Sequence, residues 1–304
     1  MRFYLILLLF IFLGCEQEKE SEIIFERLSA QRTGIDFSND LSHDVNNRSN
    51  LFDFDYFYNG AGVGVADLNN DGSLDIYFAG NQVDDKLYIN KGNFEFRDIS
   101  IEANLNLLGG WSNGVSFVDI NEDGFLDIYI SRGGPLEPSQ RANLLYVNQG
   151  DETFIEKARD YGLADQGFST QSAFFDFDQD GDLDCLVMNE NGLYGTEPGA
   201  FYQLLRTQKG LMHGSSSHFY INDGGTYVDA TAQVGMLRPS FGLGLSVSDL
   251  NGDGWLDIYI ANDYFIPDAM YINKKNGTFF DEIKSRTSQI SFFGMGVDVA
   301  DINN

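Results

Sequence analysis

The sequence predicts an all-β fold, a β-propeller built of four-stranded blades, on three observations. An acidic nine-residue stretch occurs four times: DLNNDGSLD from Asp67 to Asp75, DINEDGFLD from Asp119 to Asp127, DFDQDGDLD from Asp176 to Asp184 and DLNGDGWLD from Asp249 to Asp257. The copies start 52, 57 and 73 residues apart, and a fifth begins after another 52, at Asp301. Around each copy lie the same short apolar runs, enough for four strands joined by tight turns. Four-stranded units at this period are the signature of propeller blades.

Each unit opens on a Gly-rich or small-residue apolar run: GAGVGVADL, NGVSFVDI, SAFFDF or GLGLSVSDL. The acidic stretch follows and leads into a second strand (DIYFAG, DIYISR, DCLVMN, DIYIAN). A third strand reads apolar-Tyr-apolar-Asn, starting at Leu87, Leu145, Phe219 and Met270; a Gly-containing turn then gives a fourth near Phe94, Phe154, Tyr227 and Phe279. Blades are expected near 61–100, 111–158, 170–231 and 241–284, with a partial one at 293–304. Residues 25–37 have the spacing of a blade end, an aromatic followed by Gly or Asn, as in Phe96 to Asn104 and Phe154 to Gly162. They are expected to be an outer strand donated to the last blade. The stretch from Asp40 to Tyr58 reads as a long loop.

The acidic stretches carry oxygen side chains at positions one, three, five and nine, and Gly at position six. That spacing suits a hard cation, since a tight loop brings alternate side chains and the position-seven carbonyl onto one centre. Calcium takes roughly six to eight oxygens, and a Gly permits the sharp turn. The expected ligand sets are Asp67, Asn69, Asp71, Ser73 and Asp75; Asp119, Asn121, Asp123, Phe125 and Asp127; Asp176, Asp178, Asp180, Asp182 and Asp184; and Asp249, Asn251, Asp253, Trp255 and Asp257. The seventh member of each stretch acts through its carbonyl. Asp301 and Asn303 begin a fifth set. No His or Cys enters a loop, which disfavours zinc and softer metals, and Mg²⁺ wants a stricter octahedron. Asp-Gly by itself signals only a hairpin turn, but a turn has no need of oxygens at positions one, three and nine. An EF-hand needs Glu at position twelve and flanking helices; here that position is Phe78, Ile130, Val187 or Ile260, inside a β-rich run.

With 304 residues, 43% of them hydrophobic, the chain can bury a large core. Its formal charge is −27. The complete loops place thirteen carboxylates at ligand positions, so four divalent ions would leave about −19. A surface this acidic argues against nucleic acid as a partner. At the N-terminus, Arg2 precedes an apolar run from Phe3 to Leu13 and then Gly14-Cys15. Eleven apolar residues are too few to span a bilayer and fit a signal-peptide core. Residues 1–15 resemble a bacterial lipoprotein signal with Cys15 as the lipidated residue, 16–23 read as a tether, and 24–304 as the propeller. The chain is then expected at the outer membrane or cell surface, touching membrane through a lipid anchor only, or else secreted or periplasmic. The other cysteine, Cys185, reads as a buried strand residue.

The repeats resemble the FG-GAP and VCBS-type repeats of integrin-α-like propellers, and among these the bacterial extracellular relatives of cartilage acidic protein. The resemblance covers residues from about 22 to 304 and includes Phe241-Gly242 and Phe293-Gly294, the family's Phe-Gly; Gly133-Gly134-Pro135 is the nearest approach to its Gly-Ala-Pro half. It implies a ring of about seven blades, of which this chain supplies four and the start of a fifth. It also implies partner binding on the face opposite the calcium loops. Meander topology places the acidic loops on one face and the links after second strands on the other. The third unit's link, Asn189 to Ser217, is the longest and holds Arg206, Lys209 and His213; Asn81, Arg132, Asn189, Asn262 and Asp263 would line the same face. The expected role is an adhesion or binding platform for a glycan or an extracellular protein. Two alternatives remain at this level: support of a hydrolase or lyase acting on polysaccharide or phosphoester, and a structural subunit of a surface complex. His213 and His218, next to Ser215–Ser217, form no recognisable catalytic constellation.

Overall fold

The computed structural model describes residues 25–46, 49–105 and 109–302. Cys15, the tether and Asn303 lie outside the described residues. Among the described residues sixteen strands form four four-stranded antiparallel sheets, each a simple meander. The first sheet is β1 (Val63–Ala66), β2 (Asp75–Phe78), β3 (Lys86–Asn90) and β4 (Phe96–Asp98). The second is β5 (Ser112–Val118), β6 (Asp127–Arg132), β7 (Leu144–Asn148) and β8 (Phe154–Glu156). The third is β9 (Phe168–Phe175), β10 (Asp184–Glu190), β11 (His218–Asn222) and β12 (Tyr227–Asp229), and the fourth β13 (Gly242–Ser248), β14 (Asp257–Asn262), β15 (Ala269–Asn273) and β16 (Phe279–Asp281). Five short helices decorate them: α1 (Ala30–Thr33), α2 (Ala158–Tyr161), α3 (Pro198–Thr207), α4 (Leu211–Gly214) and α5 (Ile283–Arg286).

Alternation along the central strands sends side chains to both faces; in the second and third sheets both faces are covered by a neighbouring sheet, in the first and fourth one face is. Tyr77, Leu87 and Ile89 of the first sheet pack with Ile128, Ile130 and Tyr146 of the second. The other face of the second sheet, with Tyr129, Leu145 and Val147, meets Cys185, Val187 and Tyr220 of the third. Leu186, Met188 and Phe219 then meet Ile258, Ile260 and Tyr271 of the fourth. Cys185 is a buried free thiol in this interior, as its place in the repeat led us to expect. This face-to-face stacking of meander sheets is propeller architecture.

The Gly-rich opening runs are explained by the innermost strands, which approach closely. A Cβ on Gly62 would lie 2.6 Å from the Asn113 carbonyl, and one on Gly114 2.5 Å from that of Thr170. Three of these strands carry a bulge at the same place: Asn113, Thr170 and Leu243 are skipped in the registers of β5, β9 and β13. A bulge leaves one residue unpaired and re-aims its side chain.

The region 25–37 was expected to add an outer strand to the last blade, which is not among the described residues. Within it, Gly34 (φ 76°) fits beneath the Phe96 carbonyl of β4, where a Cβ would sit 2.4 Å away. Gly162 and Gly235 make the same approach to Tyr227 and Phe279, in the outer strands of the sheets that follow them. Residues 30–34 thus hold the first sheet as a blade tail holds the next blade. The stretch that read only as a loop, 40–58, drives Phe54, Tyr56 and Phe57 into a buried aromatic cluster with Trp111. Phe52, Phe54, Tyr56 and Tyr58 alternate with Asp53 and Asp55 as a strand would, yet the segment folds as successive turns.

Candidate metal centres and the opposite face

All four acidic loops share one backbone. Position six is Gly72, Gly124, Gly181 or Gly254 with φ of 85°, 88°, 102° and 85°; position four is also left-handed, at Asn70, Glu122, Gln179 and Gly252. Only the first of these requires glycine in every copy. The opening Asp tightens the turn: Oδ2 of Asp67, Asp119, Asp176 and Asp249 accepts the position-six amide at 2.8, 2.8, 3.2 and 2.7 Å.

The position-nine carboxylates do more than face the loop. Asp75, Asp127, Asp184 and Asp257 are all buried. Each accepts two backbone amides, one from loop position two and one from the end of the third strand. For Asp127 these are Ile120 at 2.9 Å and Asn148 at 2.7 Å; for Asp257, Leu250 at 3.0 Å and Asn273 at 2.8 Å. One carboxylate therefore ties together the loop, the second strand and the third. The third-strand Asn is explained by the same contact region. Asn148 and Asn273 donate onward to Leu68 O and Phe177 O in the preceding sheet's loop, at 2.8 and 2.7 Å. Asn70 and Gln179 likewise donate to Gly124 O and Gly254 O in the loops that follow theirs. The four loops are thus bonded to one another in pairs on a single face.

The third loop shows the metal-binding geometry most directly. One carboxylate oxygen from each of Asp176, Asp178 and Asp184 lies within 4.8 Å of the others, a cluster that could hold a metal ion. Oδ1 of Asp176, Asp178 and Asp182 is buried with no hydrogen-bond partner among the described residues, as is Oδ1 of Asn251 in the fourth loop. Buried oxygens without donors are costly, and a cation would satisfy them. Burial, reinforced by Asp178 and Asp182, pushes the Asp184 carboxyl up to about 7 despite its two amide donors. Burial likewise raises Asp127 to about 6. Asp180, at position five, is exposed and lies outside that cluster. In the first, second and fourth loops the position-five amides of Asp71, Asp123 and Asp253 cap Oδ1 of the opening Asp at 3.1, 3.0 and 3.0 Å. The position-three side chains there are Asn69, Asn121 and Asn251, so these loops gather fewer free carboxylates. Asp301 opens a fifth stretch that the described residues do not complete.

On the other face, most of the polar residues singled out from sequence hold structure. Asn81 is buried and bonded to Asn39 and to Ser112 O; Asn262 accepts Ser240 Oγ and the Phe241 amide. Arg132 donates to Gly109 O, and Asn189 to Ser216 O. Asp263 is bonded to the Tyr56 hydroxyl at 3.2 Å. The long link of the third unit folds as α3 and α4, with Phe201 and Leu205 buried against Phe241 and Ile266 of the fourth unit. Sequence reasoning missed Glu190, which is 2% exposed at the end of β10. Its signal was available: it stands six residues after position nine, in register with Asn81, Gly133 and Asp263.

His218 is also absorbed by structure. Its Nδ1 meets buried Asp165 and its Nε2 meets the His213 carbonyl at 3.0 Å. Both partners accept, so the ring is held as imidazolium and offers no lone pair to a nucleophile. Burial opposes that charge, but Asp165 outweighs it and raises His218 above its ordinary value. His213 stacks on the ring at 4.3 Å and pairs with Asp229.

Meander sheets stacked face to face, each bearing the same acidic hairpin on one face, define a repeat protein of β-propeller type. The chain carries FG-GAP-like repeats: the FG-GAP-like repeat family model matches residues 67–130 and 249–304. It is similar to cartilage acidic protein 1 of Mus musculus, 26% identical over 226 residues, covering 72% of this chain and 31% of that protein. The Xenopus tropicalis protein is 27% identical over 209 residues, covering 67% and 29%. The chain spans less than a third of these relatives' length. Among solved structures, an Agrocybe aegerita lectin that recognises non-reducing terminal N-acetylglucosamine aligns at TM-score 0.38 and 18% identity, over 72% of this chain and 50% of that one. A biofilm matrix protein of V. cholerae aligns at TM-score 0.36 and 14% identity, over 72% and 27%.

Proposed function

We propose that this chain is a calcium-binding propeller, displayed at the cell surface or secreted, whose face opposite the acidic loops is a platform for a glycan or an extracellular protein. The observation that carries the reading is the set of four loops with one backbone, gathered on one face, whose buried oxygens lack donors in the third and fourth copies. Oxygen-only ligand sets and a flexible loop favour calcium over magnesium or zinc. The ion's role is structural: it neutralises clustered carboxylates and fixes the hairpin between first and second strands. Residues 1–15 would direct export, with Cys15 as a lipid anchor outside a fold whose described helices include none long and apolar enough to cross a membrane. Weak calcium sites fill readily in such a compartment.

Two measurements test this. Elemental analysis after dialysis against calcium should find about one ion per complete loop, and Asp253→Ala should remove one of them. Unchanged stoichiometry in that variant would reject the ligand assignment. Binding to an array of glycans and extracellular proteins tests the platform, and an array blank in calcium would reject it.

A further inference from the structure

At the ends of the innermost strands away from the acidic loops lies a cavity of about 350 Å³. That is within the size range of small-ligand sites. Its wall is assembled by the repeat itself. The bulged positions Asn113, Thr170 and Leu243, and their counterparts Ala61 and Met295, all line it. The backbone device is constant while the side chains differ in size and polarity, so packing does not dictate them. Phe54, Tyr56 and Trp111 form an aromatic side wall, with the Phe54 and Trp111 rings edge-to-face at 5.5 Å.

Glu190 also lines this cavity. It is 2% exposed, and neither carboxylate oxygen has a hydrogen-bond partner among the described residues. The nearby guanidinium of Arg141 does not pair with it: Arg141 stacks on Phe168 and donates to the carbonyls of Leu136, Gln166 and Gly167. Asp263, its register-mate in the fourth unit, does not line the cavity and is bonded to the Tyr56 hydroxyl. Burial pushes the Glu190 carboxyl well above its ordinary value, against the opposing pull of the nearby Arg141 charge, because an ionised carboxylate without a hydrogen-bond partner is expensive to keep; a cation on this cavity wall would stabilise the ionised form.

We propose that this cavity binds a primary ammonium group, with Glu190 as its counter-ion and Phe54, Tyr56 and Trp111 as its aromatic wall. This rests on the platform reading above and names the chemistry of that face. A metal ion fits less well: among the described residues the one cluster of three metal-ligating acids is in the third acidic loop, and aromatic faces attract organic cations. A neutral hydroxyl would offer the ionised form no counter-charge.

The test is fluorescence of Trp111 in a Trp255→Phe background, titrated with butylammonium and with 1-butanol in calcium. Saturable binding of butylammonium, at least tenfold tighter than any response to 1-butanol, is expected. Glu190→Gln should weaken it at least tenfold without lowering the thermal midpoint, since the amide keeps the shape but cannot ionise. Glucosamine and Nα-acetyl-lysine amide then distinguish a sugar-borne from a peptide-borne ammonium. Equal responses to butylammonium and 1-butanol, no saturable response to either, or wild-type affinity in Glu190→Gln would overturn the assignment. The wild-type comparison of amine with alcohol decides even if the variant does not fold. A positive array with no amine preference would remove this pocket and leave the platform; amine preference with a blank array would do the reverse.

Discussion

The two faces of the molecule are built by opposite rules. On the acidic face four loops repeat the same backbone, the same turn glycine and the same doubly bonded carboxylate. On the other face each unit does something different: Asn81 holds the N-terminal segment, Gly133 has no side chain, Glu190 stands unpartnered among the described residues, and Asp263 takes a hydroxyl. Repetition marks a requirement of the fold, whereas divergence at equivalent positions marks freedom from it. That contrast is the reason for proposing recognition on the divergent face and structural ion binding on the repeated one.

The sharpest separation between the faces should come from two buried residues. Asp257→Ala would leave the amides of Leu250 and Asn273 without an acceptor, and each buried group so orphaned costs about 1–3 kcal/mol. Phe201→Ala on α3 should cost about 3–5 kcal/mol by opening a cavity against Phe241 and Ile266. Chemical denaturation in calcium and in chelator distinguishes them: the loss in Phe201→Ala should not change, while that in Asp257→Ala should grow with calcium. Equal calcium dependence in both would erase the contrast.

Asp71→Ala tests an exposed candidate ligand alone. The expected loss is about 2.7 kcal/mol with calcium at a hundredfold excess over its dissociation constant, and almost none in chelator.

The His218–Asp165 pair, beneath the divergent face, should respond to pH and not to calcium. His218 is raised, so its contribution is complete below its unfolded value, about 6.5, and is lost as pH rises through the folded one. For Asp165, burial works against the charged form, but His218, Tyr220 and the Gly167 amide hold its carboxyl below the ordinary value. Its contribution is therefore present above about 3.9 and is lost as pH falls through the folded value. The stability gap between the natural chain and Asp165→Asn should be widest between those limits and shrink above them. A gap that grew from pH 6 to 9 would contradict the imidazolium assignment. The smallest effect belongs to the exposed Arg97–Glu152 pair between neighbouring units, where Glu152→Gln should change stability by less than about 1 kcal/mol.

Much of the repeated face was legible in the sequence, because spacing alone carries it: oxygens at alternate positions, Gly at six, then a β-rich run. What spacing could not show is that Asp75, Asp127, Asp184 and Asp257 are strand ties as well as candidate ligands, since their amide partners lie up to 38 residues away, as for Asp184 and Asn222. The divergent face was legible only in part. The long third-unit link stood out by length, yet its α3 packs as core. Glu190 and Tyr56 acquire meaning only when a bulge, a register and the segment at 40–58 meet at one cavity, and no local pattern encodes that meeting.

The central claim, that calcium holds the repeated face together, is tested most directly by thermal unfolding in calcium, magnesium and chelator, after circular dichroism has established β-structure in each. Four sites at a hundredfold excess would each add about 2.7 kcal/mol, so a large rise in midpoint is predicted, selective for calcium over magnesium. A folded sample with the same midpoint in all three conditions would contradict the account and reduce the acidic loops to turns.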